Sequence, residues 1–305
     1  MSSAPYVPNP DLLAYARQGR ASYRGMIPRA GTPEPVAEVR ELSIPAGQPE
    51  RRIPARLYVP AAAERSNAGP MVLFFHGGGF LCGDLDTHEA MLCALANRSG
   101  APVLSLDYRL APESPFPAGL EDCHAALCWL AEHAADLGAD PARLFLCGDS
   151  AGGNLAAAVC LLARQRGGPQ AAGQVLFYAN LDGSCDTPSW AELGNRYFPT
   201  RAAMELTLRC YLPGPVEDRL QPLAAPLRAE LSGLPAALVI TAQLDPLRDE
   251  GQAYVRRLMQ AGVFARHVEC PGMEHGFVQF YQELHNLEQG QRALSEAARF
   301  IQGEN

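Results

Sequence analysis

The chain has 305 residues, of which 48% are apolar, so it can bury the core of one large α/β domain without a second domain. Its net charge of −8 and its scattered arginines provide no basic patch for nucleic acid or for an anionic membrane surface. All 25 basic residues are Arg, and the absence of Lys excludes Walker-type phosphate loops, lysine Schiff bases and Ser-x-x-Lys catalytic pairs.

A short helix and a pair of strands are the first predicted elements. Asn9 or Asp11 can cap a helix that ends before the proline-rich residues 28–35. Apolar and polar residues alternate in residues 36–44 and again in residues 52–59, which is typical of half-buried antiparallel strands. We expect the sheet to begin with these two strands.

Short, almost wholly apolar runs follow, and such runs are typical of parallel strands covered on both faces. They are residues 71–75, 103–106, 144–147, 175–178 and 237–241, and residues 266–269 are predicted as the last strand. Predicted amphipathic helices lie between them, at residues 87–98, 117–136, 151–166 and 248–261. This alternation predicts a mostly parallel, doubly wound sheet of eight strands, whose ligands bind at the carboxyl ends of the strands.

A candidate nucleophile lies at one of these strand ends. Residues 148–152 read GDSAG, directly after a predicted strand and directly before an Ala-rich helix. Glycines on both sides of Ser150 suit a tight, strained strand-to-helix turn, which is the nucleophile-elbow pattern. A serine that merely caps a helix would not require both glycines. The context therefore favours Ser150 as a nucleophile.

A glycine run follows another strand. Residues 76–80 read HGGGF, which places three peptides without side chains at a strand end. Their N–H groups, together with that of Ala151, can stabilise the negative oxygen of a tetrahedral intermediate. His76 is expected to brace this loop.

The serine needs a base, and seven histidines compete for that role. His275 lies in the loop PGMEHGF that leaves the last predicted strand, at the reactive edge of the sheet. His88 is followed by Glu89 but lacks the second His of a zinc H-E-x-x-H motif, because position 92 is Leu. We predict His275 as the base and no metal site.

The histidine needs an acid that orients it. Asp245 follows the predicted strand 237–241, and the order Ser, Asp, His along the chain is that of α/β hydrolases. Asp249 and Glu250 remain rivals by proximity, although they lie on the first turn of a helix, where acids are common as dipole partners. Position favours Asp245.

Taken together, these motifs resemble those of the hormone-sensitive-lipase-like (bacterial family IV) esterases of the α/β-hydrolase superfamily. The matching segments are HGGGF at 76–80, DYRLAPE at 107–113, FPA at 116–118, GDSAGGN at 148–154, DPLRDE at 245–250 and HGF at 275–277. The likeness runs from about residue 35 to the end. It implies the α/β-hydrolase fold and a triad of Ser150, Asp245 and His275.

The resemblance also implies oxyanion donors at Gly78, Gly79 and Ala151, supported by His76 and Gly77 of the same motif. It implies one domain over residues 1–305, with a helical cap formed by about 1–40 and about 182–218. The aromatic residues of the cap could line a substrate pocket or fill the cap's own core. They are Trp190, Tyr197, Phe198 and Tyr211.

Two further expectations concern charged residues. Asp107, Arg109 and Glu113 are expected to form a structural ion-pair network and not to take part in catalysis. Glu274 departs from the family pattern, which usually has an uncharged residue before the histidine, and this puts the pH profile of the reaction in doubt.

The sequence therefore predicts a serine carboxylesterase that hydrolyses short- to medium-chain esters through an acyl-enzyme, with a small-molecule ester as partner and no cofactor. An amide or formamide hydrolase with the same triad is the alternative; a ligand-binding pseudoenzyme is disfavoured because His275 is present. Nine Cys without a C-x-x-C pair and the absence of a signal-like or membrane-length apolar run predict a cytoplasmic protein. The sequence does not determine the oligomeric state, and a homo-oligomer is possible.

Overall fold

Eight strands form one sheet in the computed structural model, which describes residues 6–47, 51–61 and 68–304. Residues 1–5, at the start of the predicted cap, lie outside the described residues. The strands are β1 (Glu38–Ala46), β2 (Arg51–Val59), β3 (Gly69–Phe75), β4 (Val103–Leu106), β5 (Ala139–Asp149), β6 (Gly173–Phe177), β7 (Ala236–Leu244) and β8 (Ala265–Glu274).

Strand order in the sheet is β1-β2-β4-β3-β5-β6-β7-β8. Strand β2 runs antiparallel to both of its neighbours, and all other neighbouring pairs are parallel. This confirms the mostly parallel eight-stranded sheet that begins with an antiparallel pair. The predicted cap segment 1–40 ends inside the sheet, however, because β1 already begins at Glu38.

Helices cover both faces of the sheet. They are α1 (Pro10–Arg24), α2 (Glu89–Ser99), α3 (Ala118–His133), α4 (Ala151–Arg166), α5 (Pro188–Leu193), α6 (Arg201–Tyr211), α7 (Arg248–Gln260) and α8 (Leu287–Gln302), with short 3-10 helices at Ile27–Ala30, Ala135–Leu137, Val216–Leu220 and Pro226–Arg228. Helices α2 and α8 pack in one apolar cluster, whereas α3, α4 and α7 pack in the other. This strand order, with helices on both faces, is the arrangement expected of the α/β-hydrolase fold. No helix among the described residues is long and apolar enough to cross a membrane.

Two helices differ from the sequence-based expectation. Helix α1 has 15 residues and is longer than predicted; its cap is Asn9, whose side chain accepts hydrogen bonds from the N–H groups of Asp11 and Leu12. Helix α8 was not predicted, although it buries one apolar face that includes Leu294 and Ile301.

Strand register aligns the ends that carry the motifs. Phe75, the last residue of β3, pairs with Gly148 of β5, and Asp149 of β5 pairs with Phe177 of β6. The glycine loop after β3 and the serine turn after β5 therefore leave the sheet side by side.

Candidate active site

Ser150 lies on the sharp turn between β5 and α4. Its φ of 53° is in the left-handed region, which is strained for a residue with a side chain. Its N–H donates to the carbonyl of Phe177 at 2.9 Å, and its carbonyl accepts from the N–H of Asn180 at 3.2 Å. These bonds to β6 and the residues after it hold the strained turn in place.

Both glycines around the serine are required by close backbone contacts. A Cβ at Gly148 would overlap the backbone of Gly152, and a Cβ at Gly152 would overlap the carbonyl of Phe75. The turn can therefore press against the end of β3 only if these positions have no side chain.

His275 lies between Ser150 and Asp245. Its Nδ1 is 2.7 Å from Oδ2 of Asp245, and its Nε2 is 2.8 Å from Oγ of Ser150. A carboxylate only accepts hydrogen bonds, so Nδ1 carries the proton and Nε2 is left to accept the serine hydroxyl. The structure thus brings together the three residues that the sequence singled out.

Asp245 is buried and directly follows the last residue of β7. Its Oδ1 accepts the N–H of Leu247 at 2.9 Å, which leaves Oδ2 for His275. Each of its two oxygens therefore has its own hydrogen-bond partner, which fixes the orientation of the carboxylate.

The two rival acids lie elsewhere. Asp249 accepts the N–H of Ser189 at 2.8 Å. Glu250 is fully buried and accepts from the indole N–H of Trp190 at 2.8 Å and from two backbone N–H groups at residues 181–182. Burial raises the pKa of Glu250 to about 8. Both acids anchor the segment that leads into α5, so neither can orient His275.

The glycine loop after β3 lies beside the serine turn. Gly78 and Gly79 have φ values of 117° and 62°, and a Cβ at Gly78 would overlap the carbonyl of Cys82. Within the described part of the chain, the N–H groups of Gly78, Gly79 and Ala151 have no hydrogen-bond acceptor. Both glycines line the same cavity as Ser150. Three N–H groups without partners are thus available beside the serine.

His76 braces this loop through the carbonyl of Gly77. Its Nδ1 is 2.8 Å from that oxygen and must donate to it. A peptide unit is planar and trans, so fixing the carbonyl of Gly77 also fixes the N–H of Gly78, which points the opposite way. Burial, together with the neighbouring His88, lowers the pKa of His76 to about 4, so the ring is neutral near pH 7.

A cavity of about 460 Å³ opens above Ser150. We call Gly78, Gly79, Ser150 and His275 its floor, and α1, Phe198 and α6 its roof. The residues that line the roof include Tyr15, Ala16, Tyr23, Phe198, Met204 and Thr207. The resemblance implied that residues 1 to about 40 belong to the cap, but the residues of α1 that line the cavity were not singled out, because its apolar positions resemble those of any surface helix.

Only one of the four aromatic residues proposed for the pocket lines this cavity. Phe198 is 63% exposed, and its ring centre lies 5.7 Å from that of His275. Trp190 is buried against Glu250, Tyr211 stacks on Phe80 at 3.7 Å, and Tyr197 lies outside the lining. For Trp190 and Tyr211, the alternative of a core role is therefore correct.

The expected network of Asp107, Arg109 and Glu113 is not one network. Arg109 pairs with the buried Asp122 at 2.7 Å, whereas Glu113 pairs with Arg20 of α1 at 2.6 Å. The expectation was wrong because partners far apart in sequence compete for each charge. The second pair attaches α1 to the body of the protein.

No cluster of three or more His, Cys, Asp or Glu residues is arranged to hold a metal ion in the described ranges. All nine cysteines are free, and eight of them are buried.

Comparisons with known proteins agree with this geometry. Residues 72–279 match a family model described as an alpha/beta hydrolase fold. The carboxylic ester hydrolase LipN of Mycobacterium tuberculosis is 43% identical over 270 residues, which cover 86% of this chain and 70% of LipN. The carboxylesterase NlhH of the same organism is 44% identical over 231 residues, 75% of this chain and 72% of NlhH.

Solved structures show the same likeness over almost the whole chain. A hyperthermophilic esterase from the archaeon Pyrobaculum calidifontis superposes with a TM-score of 0.86 at 42% identity, covering 96% of this chain and 94% of that one. The family model, the relatives and the solved structure are all α/β hydrolases or esterases. The chain therefore belongs to the hormone-sensitive-lipase-like (bacterial family IV) esterases, which are carboxylic ester hydrolases of the α/β-hydrolase superfamily.

Proposed function

We propose that this ester hydrolase works through a Ser150–His275–Asp245 triad and a covalent acyl-enzyme. One observation carries the proposal. The hydrogen bonds from Ser150 to His275 and from His275 to Asp245, at 2.8 and 2.7 Å, form one continuous line at the floor of a cavity. A serine hydroxyl is a weak nucleophile until such a base accepts its proton.

In the first half-reaction, Oγ of Ser150 attacks the ester carbonyl while Nε2 of His275 takes the hydroxyl proton. The carbonyl electrons move to the oxygen, which becomes negative. When the tetrahedral intermediate collapses, the bond to the alcohol oxygen breaks and the imidazolium donates its proton to that oxygen. The alcohol leaves, and the acyl group stays on Ser150.

In the second half-reaction, His275 removes a proton from water, which attacks the acyl carbonyl. The intermediate collapses again, the bond to Oγ breaks, and the proton returns to Ser150 as the acid leaves. Asp245 keeps its charge throughout, because its role is to hold the tautomer and to stabilise the imidazolium.

The N–H groups of Gly78, Gly79 and Ala151 are the proposed oxyanion donors. They lie beside Ser150 and have no other acceptor in the described part of the chain. Donors that are fixed before the reaction stabilise developing charge without reorganisation, and loss of one typically costs about 10² to 10³ in kcat.

The proposed substrates are esters with acyl chains of roughly eight carbons or fewer, since a cavity closed by a roof limits the volume available. The residues before β1 and residues of about 182–218 would supply the cap, as α1 and α6 line the cavity roof. A series of nitrophenyl esters of increasing chain length measures this preference. Faster turnover of long-chain emulsified triglycerides than of butyrate esters would contradict it.

The triad is tested by Ser150→Ala, with nitrophenyl butyrate as substrate. We expect kcat to fall by at least about a thousandfold while the protein stays folded, because the nucleophile is lost and the oxyanion donors remain. Ser295→Ala, a half-buried serine on α8, is the matched control and should keep its activity. Turnover near the wild-type rate in Ser150→Ala would refute the proposal.

A further inference from the structure

A buried pair of side chains, His88 and Asp149, lies behind the glycine loop and has no part in the mechanism above. His88 is fully buried at the start of α2, and Asp149, which directly precedes Ser150, is 2% exposed. Nε2 of His88 lies 3.2 Å from Oδ1 of Asp149. A charge placed this far from water needs a specific partner, so the pairing calls for an explanation.

Asp149 is tied to the first glycine of the loop. Its Oδ1 accepts the N–H of Gly77 at 2.7 Å, and a Cβ at Gly77 would overlap its carboxylate. The side chain therefore packs directly on the Gly77 backbone. Because Asp149 is covalently joined to Ser150, this one carboxylate fixes the glycine loop relative to the nucleophile.

The neighbours of His88 determine which of its nitrogens carry protons. The contact of Nε2 with Oδ1 of Asp149 is electrostatic and lacks the geometry of a regular hydrogen bond. A carboxylate oxygen attracts a ring nitrogen that carries a proton and repels one that does not, so Nε2 presents an N–H towards Asp149. On the other side of the ring, Nδ1 lies 2.9 Å from the hydroxyl of Thr87, which holds the ring in this orientation.

The rest of the surroundings hold the His88 ring against Asp149. The rings of Tyr23, Phe74 and His76 surround His88 with centroid distances of 6.2, 5.8 and 5.9 Å. Burial raises the pKa of Asp149, but His88 and the Gly77 N–H outweigh that effect, so its pKa lies below the usual value. An ionised acceptor binds an N–H group more strongly than a neutral one.

We infer that His88 is a positioning residue for ester hydrolysis: it keeps the Asp149 carboxylate in place, and that carboxylate holds Gly77 and so aims the N–H groups of Gly78 and Gly79 at the oxyanion. The inference rests on the proposed function, because it assigns these N–H groups to the oxyanion hole. It adds a role for a histidine that the sequence offered only as an incomplete metal motif.

Two substitutions of similar polarity separate this role from simple packing. In His88→Gln the side-chain amide can place its N–H near the former Nε2 and still donate to Asp149. In His88→Asn the shorter amide reaches only the former Nδ1 position, towards Thr87. Both variants lose the ring, but only His88→Asn removes the N–H that faces Asp149 at the former Nε2 position.

We expect His88→Asn to lower kcat by about 10- to 100-fold with little change in KM, because the lost interaction acts mainly in the transition state. His88→Gln should retain most of the activity. The decisive measurement is the affinity for a trifluoromethyl ketone inhibitor. Oγ of Ser150 adds to the ketone carbonyl, whose oxygen then becomes an oxyanion. The affinity for this inhibitor should fall across the variants by the same factor as kcat/KM.

Asp149→Asn keeps the size of the side chain and serves if His88→Asn does not fold. It should also lower kcat and ketone affinity in parallel, by about tenfold, because a neutral oxygen accepts the Gly77 N–H less strongly. Wild-type ketone affinity in folded His88→Asn, or in Asp149→Asn, would overturn the inference. Such a result would not argue against the proposed triad, because Ser150→Ala tests the triad separately.

Discussion

The floor and the roof of the cavity are held in different ways. The floor is attached by short hydrogen bonds between buried groups, such as Asp245 with His275 and Asp149 with Gly77. The roof helix α1 buries Leu12 and Ala16, but it is also attached by ion pairs at the surface; in the pair of Arg20 with Glu113 the side chains are 29% and 42% exposed. Exposed ion pairs contribute only about 0 to 1 kcal/mol each.

This difference separates two properties of the enzyme. In the proposed mechanism the floor residues carry out the chemical step, so they should tolerate little change. The roof would contact the rest of the substrate, so it should act on substrate selection. Floor variants should therefore change kcat, and roof variants should change KM.

The largest effect is expected for Asp245→Asn, which should lower kcat by up to about 10⁴-fold with little change in KM. The Asn side chain can present its N–H to Nδ1 of His275, which then loses the tautomer that accepts the serine proton. Steady-state kinetics on nitrophenyl butyrate measure both constants.

The nearby acids provide the control for that experiment. Glu250→Gln would turn a donor towards the N–H groups that Glu250 now accepts, so it should lower the melting temperature. Asp249→Asn should act mainly on stability, by roughly 1 to 2 kcal/mol or less. If either variant lost activity while still folded and Asp245→Asn stayed active, the assignment of the acid would be wrong.

Gly78→Ala should lower kcat by about 10² to 10³, the typical cost of losing an oxyanion donor. Its φ of 117° disfavours any side chain, and a Cβ would push against the carbonyl of Cys82. Gly167→Ala is the matched control, since Gly167 has a φ of 64° at the end of α4 with open space around it. Equal kcat values for the two variants would argue against the oxyanion role.

A third prediction concerns how the stability of the protein depends on pH through His76, which braces the glycine loop of the floor. The pKa of His76 is about 4 in the folded protein and 6.5 for the free side chain. Between these values the unfolded chain binds the proton and the folded one does not, so stability should fall as pH drops from 6.5 to 4, by roughly 3 kcal/mol in total.

His76→Asn isolates that contribution. Its amide can still donate towards the carbonyl of Gly77 but does not titrate, so its free energy of unfolding should depend less on pH over this interval. Urea unfolding at several pH values measures the difference between the two proteins. Parallel pH profiles for wild type and variant would contradict the prediction.

The smallest effect is expected in the roof. Phe198→Ala should raise KM for aryl esters by a few-fold and leave kcat nearly unchanged, because Phe198 is largely exposed above His275 and contributes apolar contact to the bound substrate. Tyr197→Ala, one residue away and outside the cavity lining, is the control. A large loss of kcat in Phe198→Ala would place this residue in the floor.

The same contrast explains what the sequence could predict. Floor residues follow strands directly and carry local signals: a glycine pair around Ser150, a glycine run after β3, and His275 in the loop after β8. Strand positions were predicted because burial on both faces produces apolar runs. The length of β5 was underestimated: the apolar run covers residues 144–147, whereas the strand extends from Ala139 to Asp149. The run is shorter because several residues in the first half of the strand are partly exposed.

Roof residues carry no such signal. Whether Trp190 faces the cavity or Glu250 depends on how distant segments pack, and hydrophobicity is the same in both cases. The contribution of α1 to the cavity depends on attachments such as that of Arg20 to Glu113, 93 positions later in the chain. The pairing of His88 with Asp149 was also invisible, because nothing local relates the two positions.

The most direct test of the account is to identify the residue that becomes covalently modified. A fluorophosphonate probe should add one phosphonyl group per chain, and peptide mass spectrometry should locate it on Ser150. Labelling should be lost in Ser150→Ala and greatly slowed in His275→Ala, which lacks the base. Equal labelling of Ser150→Ala, or modification of another residue, would contradict the proposed triad.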